Sequence, residues 1–233
     1  MKLKSKLTKI AWPENKEFNY KLSGLGGSGE LSLTFGVIAD QYSVHVKCTA
    51  KVSILASFHF EGLSVWEKTD EGFDFLTYEE KDFSKNIHKK WEMLADGLNY
   101  IENKKGLVLE REVQYFNTPE NISTIFDPIS AATVALIENP NRDVNIFGKQ
   151  RILQLKTQKQ GNELKIETLE GLNPTWMKIL SGSQIILSDE NIIQETEVPS
   201  PIQIGKLKMK FSEEKSVNEQ SIASKITEFR KEN

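Results

Sequence analysis

Asp127-Pro128-Ile129-Ser130-Ala131-Ala132-Thr133-Val134-Ala135-Leu136-Ile137-Glu138-Asn139 is the stretch on which the fold turns. It reads as a helix inside a chain otherwise written in the two-residue period of strands. Asp127 can accept hydrogen bonds from the first free backbone N–H groups, Pro128 suits the first helical position, and Asn139-Pro140 stops the helix after about three turns. From Ile129 to Ile137 only Ser130 and Thr133 are polar, so the apolar side chains point in every direction. A helix apolar all round is a buried helix. The pattern therefore predicts a sheet wrapped about a core helix, and such periodicity reports burial, not chemistry.

Working outward, strands flank it on both sides. Tyr42, Val44, Val46, Cys48, Ala50 and Val52 alternate with Ser43, His45, Lys47, Thr49, Lys51 and Ser53, which gives one dry face and one wet face. Turn chemistry recurs at Asp70-Glu71-Gly72, Asn103-Lys104-Lys105-Gly106 and Gln160-Gly161-Asn162, so antiparallel hairpins are expected. Near the end, Lys206, Lys208 and Lys210 alternate with Leu207, Met209 and Phe211, a pattern that reads as a guarded edge strand. Ser216 with Glu219 forms a capping box, and Ile222, Ala223, Ile226 and Phe229 then trace one stripe of a helix. The expected fold class is all-β: a strongly curved antiparallel sheet, spiral or barrel-like, around one short buried helix. Residues 1–17 are expected to form a basic tail, 18–211 a single β domain holding helix 127–139, and 212–233 an amphipathic helix packed outside.

At 233 residues the chain can bury a core without disulfide or metal staples. A net charge of −3 argues against a nucleic-acid partner, whose phosphates would demand many unpaired Lys and Arg. Cys48 is the sole cysteine and falls in a dry row, where a small core residue is expected. No stretch approaches the ~20 apolar residues of a membrane-spanning helix. The basic start, Met1 to Ile10, lacks the apolar run of a secretory leader, so the chain as written is expected to be cytoplasmic.

Catalytic and cofactor motifs fare poorly. Gly24-Leu25-Gly26-Gly27-Ser28-Gly29 satisfies the dinucleotide-binding glycine pattern, but a strand follows where a helix N-terminus would be needed, so a turn between strands is expected. His45, His59 and His88 stand at no metal-ligand spacing, and His45 is expected on a wet face. Glu79, Glu80 and Asp82 sit among lysines and read as a solvated surface, while Ser130 has no nucleophile-elbow glycines. No catalytic, cofactor-binding or metal-ligating residue is therefore assigned. The richest aromatic stretch, Phe58-His59-Phe60-Glu61-Gly62-Leu63-Ser64-Val65-Trp66, either fills the core or lines an apolar cavity. In the second case an apolar small molecule would lie near Phe58, Phe60, Trp66 and Leu136.

Two stretches carry a family resemblance. Asp127-Pro128-Ile129-Ser130-Ala131 with the Ile152 to Thr168 hairpin behind it, and Ile186-Leu187-Ser188-Asp189-Glu190 with Ile204-Gly205-Lys206-Leu207, resemble the bacterial family known as domain of unknown function 3108. Val134, Ala135, Glu138 and Ile186 stand where that family often has an aromatic pair, an arginine and a tryptophan. The resemblance implies a spiral β-roll in an exported protein of the bacterial envelope, periplasmic or envelope-associated, with no established activity. The functional expectation is non-enzymatic binding of an apolar ligand or an envelope partner protein; the alternative is a hydrolase acting on an envelope component.

Overall fold

The computed structural model describes residues 6–7, 12–24, 26–53, 56–94, 97–113, 125–133, 141, 143–148, 152–170, 181–199 and 206–231. Among the described residues, nine strands precede helix α1 (Pro128–Thr133): β1 (Lys6–Leu7), β2 (Lys16–Gly24), β3 (Gly27–Ile38), β4 (Gln41–Ser53), β5 (Ala56–Thr69), β6 (Gly72–Asp82), β7 (Ile87–Leu94), β8 (Gly97–Lys104) and β9 (Leu107–Val113). Helix α1 leads into β10 (Asp143–Phe147), β11 (Ile152–Gln160), β12 (Glu163–Glu170), β13 (Gln184–Leu187), β14 (Ile193–Pro199) and β15 (Lys206–Ser216), and the chain closes on α2 (Glu219–Lys231).

All of these strands belong to one antiparallel sheet, in the order β10-β11-β12-β13-β14-β15-β2-β3-β4-β5-β6-β7-β8-β9, with β1 added beside the end of β6. Each half is a simple meander in which strands consecutive in sequence pair antiparallel, several of them through two-residue turns such as those before β4 and β9. At the β8–β9 turn, Lys105 and Gly106 both take positive φ (53° and 85°), the twist a tight hairpin requires. The two meanders join where β15 pairs with β2, Met209 opposite Leu22 and Lys210 opposite Lys21.

The sheet coils on itself. Ring contacts from Phe147 on β10 reach Phe75 and Trp91 of β6 and β7, at 5.4 and 5.8 Å between centroids. The leading strand of the second meander is thereby tucked inside the first, and helix α1 touches β10 as well as β4 and β5. A strongly curved sheet rolled around a short buried helix, with a second helix outside, is the expected fold class. The core is largely aromatic: Trp12, Phe35, Trp66, Phe75, Tyr78, Trp91, Tyr100, Phe126 and Phe147 pack together, all buried. Of the expected helix 127–139, residues 134–139 lie outside the described residues.

Three expectations need correction. Residues 12–17 are not a tail: Trp12 is buried against Phe35 and Trp66, and β2 begins at Lys16. The lysine-bearing β15 is no edge strand but the seam of the sheet, bonded on both sides, with Lys206 and Lys208 paired to Glu197 across β14. The cap of α2 is Asn218, which accepts from the Ser221 backbone N–H at 2.8 Å, because β15 still runs through Ser216.

Candidate functional site

Helix α1 is pinned to the sheet by a buried polar knot. Asp127 Oδ1 accepts the backbone N–H groups of Ile129 and Ser130, both at 2.9 Å, as a helix cap should. Its other oxygen accepts the Ser64 hydroxyl at 2.7 Å. The Ser64 and Ser130 hydroxyls lie 2.8 Å apart, and the indole N–H of Trp66 donates toward both, at 3.1 and 2.9 Å. All four side chains are fully buried. Burial pushes the Asp127 carboxyl up from its ordinary range, and the bonds from Ser130, Ser64 and the helix backbone reclaim only part of that shift. Both serine hydroxyls are held within the knot by Asp127 and Trp66, and neither serine has any surface open to a substrate. Their chemistry is that of a satisfied core network, which fixes the direction in which α1 enters the roll.

On the outer face, α2 covers a belt of charge. Glu61 receives His45 Nε2 at 3.3 Å, His59 Nε2 at 2.9 Å and Lys47 Nζ at 2.7 Å. Burial alone would raise its pKa, but the bonds from His45, Lys47 and His59 outweigh burial and bring it to about 2. His45 is buried under the ring of Phe229, 5.8 Å away, and Lys81 donates to the Phe229 carbonyl while standing 4.7 Å over its ring. The outward strand face is thus dry wherever the helix lies on it, which corrects the wet-face expectation for His45. Glu79 is likewise buried, against His88, in place of the solvated position expected of it; Glu80 and Asp82 remain half-buried beside Lys89 and Lys85. Among the described residues no group of three or more His, Cys, Asp or Glu side chains is arranged to hold a metal ion.

The inner face carries an apolar cleft of about 590 Å³. Leu22 of β2, Leu31 of β3, Cys48 and Ala50 of β4, Phe58 of β5, Thr196 and Val198 of β14, and Leu207 and Met209 of β15 line it. Cross-strand register makes this wall continuous: Ala50 lies opposite Phe58, Leu31 opposite Cys48, Leu22 opposite Met209, Met209 opposite Thr196. Directly paired residues share a face, so the concave wall is dry across six strands. The size and lining are those of a small-molecule site. Burial raises the Cys48 thiol's pKa, so this half-buried side chain is a poor nucleophile at neutral pH.

The four residues singled out from sequence part company. Phe58 lines the cleft and stacks on Phe60, with centroids 6.2 Å apart and rings 8° from parallel. Phe60 borders Gly62, over which Ile129 of α1 sits. Trp66 belongs to the sealed core beside Trp12 and Phe126. Leu136 lies outside the described residues. Sequence reading missed the second half of the wall, Thr196, Val198, Leu207 and Met209. The alternation of Leu207 and Met209 was the available signal, but nothing in it revealed that β15 lies beside β2.

No family model matches the chain, and no curated protein matches it. Among solved structures the chain is similar to the crystal structure of a beta-barrel-like protein of domain of unknown function DUF1849 from Brucella abortus. Sequence identity is 10%, the TM-score is 0.48, and the match covers 85% of this chain and 96% of that one.

Proposed function

We propose that the protein binds an apolar small molecule on the concave face of its sheet and performs no chemistry on it. The observation that supports this reading is the cleft of about 590 Å³, walled by side chains from six strands and almost devoid of polar groups. Leaving so much apolar surface exposed is unfavourable at roughly 25 cal/mol per Å², and an apolar occupant relieves that cost. Against a hydrolase stands the setting of the serines: Ser64 and Ser130 are fully buried and spend their hydroxyls on Asp127 and Trp66. The resemblance to domain of unknown function 3108 is the ground for proposing the bacterial envelope as the compartment, where such a ligand would be an envelope lipid or a lipid-derived molecule.

The test is a titration of the delipidated protein with an anilinonaphthalene fluorophore, compared with Ala50→Phe, which fills the cleft from β4. Saturable, blue-shifted emission that Ala50→Phe reduces at least tenfold in affinity is the expected result. Emission that is absent, or equal in both proteins, refutes the reading.

A further inference from the structure

Thr196 is the odd member of the cleft wall. It is 92% buried, its Oγ1 is shielded from solvent, and that oxygen has no hydrogen-bond partner. Its neighbours in register are Met209 on β15 and Ile185 on β13, and neither bonds it. Among the cleft-lining residues it alone holds a buried side-chain polar atom in this condition. An unsatisfied buried hydroxyl is costly, whereas valine has the same shape and no such cost. In the present rotamer that oxygen is closed to a water-sized probe, and a turn about χ1, which exchanges it with the methyl group, presents it to an occupant of the cleft.

Building on the proposed apolar-ligand reading, we infer that the Thr196 hydroxyl is the polar anchor of the site, and that the ligand is a chain-like apolar molecule carrying one uncharged hydrogen-bonding oxygen, as in an acyl ester or a long-chain alcohol. The neutral form follows from the wall. A carboxylate drawn down to Thr196 would lose its water for a single hydroxyl, with Leu22, Val198 and Met209 around it. An ester carbonyl or an alcohol needs only one bond to be satisfied there. The hydroxyl can donate to the first and either donate to or accept from the second. Lys51 and Lys208 also border the cleft, but Lys208 is engaged by Glu197 and Lys51 is exposed. Neither supplies a buried counter-ion for an acid.

The experiment uses the single cysteine as the reporter, since Cys48 lines the same cleft. Delipidated full-length protein is alkylated at pH 9, where the raised thiol still ionises in part, in the presence of 1-dodecanol, methyl laurate or dodecane. The same titrations are run on Thr196→Val and Thr196→Ser. Expected is protection of Cys48 by all three probes in the wild type. Thr196→Val should weaken dodecanol and methyl laurate roughly fivefold to tenfold, the worth of one hydrogen bond, and leave dodecane unchanged. Thr196→Ser should keep the wild-type order. Without probe, Thr196→Val should melt no lower than the wild type; a lower midpoint would mean that the hydroxyl is already satisfied internally and would overturn the inference. Equal protection of wild type and Thr196→Val by dodecanol overturns the anchor but leaves the apolar cleft standing. Failure of every probe to protect Cys48 overturns the cleft and the anchor together.

Discussion

Two buried carboxylates, Asp127 and Glu61, are shifted in opposite directions, which makes them separable by pH. Asp127 has its pKa raised by burial, so the folded state holds that proton more firmly than the unfolded chain does, and acidification through its folded value adds stability. Glu61 is depressed to about 2 from 4.5; its contribution is present above about pH 4.5 and is lost as pH falls toward 2. With Lys47 half-exposed, that contribution is of order 2 kcal/mol after screening. Urea unfolding of Glu61→Gln between pH 2.5 and 7 should show a stability deficit at pH 7 that closes on acidification; a deficit constant with pH would contradict this. Asp127→Ala strips two N–H groups of their cap and Ser64 of its acceptor, and is expected to cost about 3 kcal/mol or more. Asp127→Asn keeps the capping oxygen and should cost about 1 kcal/mol by the same measurement. Part of this was legible: the cap was readable at Asp127 from its place before Pro128. That Ser64 and Trp66 complete the knot was not, since 63 residues separate Ser64 from Asp127 and no local pattern spans them.

At the scale of elements, alternation told which side of a strand a residue occupies, but not what lies on that side. His45 does point outward, yet α2 covers it; Lys206, Lys208 and Lys210 do alternate with apolar residues, yet β15 is flanked on both sides. Helix α2 approaches the sheet closely because Gly36 has no side chain: a Cβ there would stand 2.4 Å from Ile222 Cγ2. Gly36→Val should therefore lift the helix, lowering stability by about 2–3 kcal/mol and speeding backbone amide exchange over residues 219–231. Unchanged exchange would contradict the docking. The true liability is β9, at one end of the sheet order, where Leu107 and Val108 are 80% and 67% exposed. Val108→Lys is expected to reduce self-association in light scattering while shifting stability by no more than about 0.5 kcal/mol.

For the whole molecule, the coiling of the sheet is what converts dry strand faces into both a sealed core and an open cleft. The aromatic stretch from Phe58 to Trp66 runs along β5 from the cleft, where Phe58 stands, to the core, where Trp66 is buried. Core truncations such as Phe35→Ala should cost about 3–5 kcal/mol, whereas the half-buried Phe58→Ala should cost only about 1–2. The central claim is occupancy of the cleft by an apolar molecule, and it is tested most directly by native mass spectrometry of gently purified protein. The account predicts a bound species of lipid-like mass on the wild type, released on collisional activation and missing from Ala50→Phe. An unliganded wild type, or an adduct that Ala50→Phe retains in full, would contradict it.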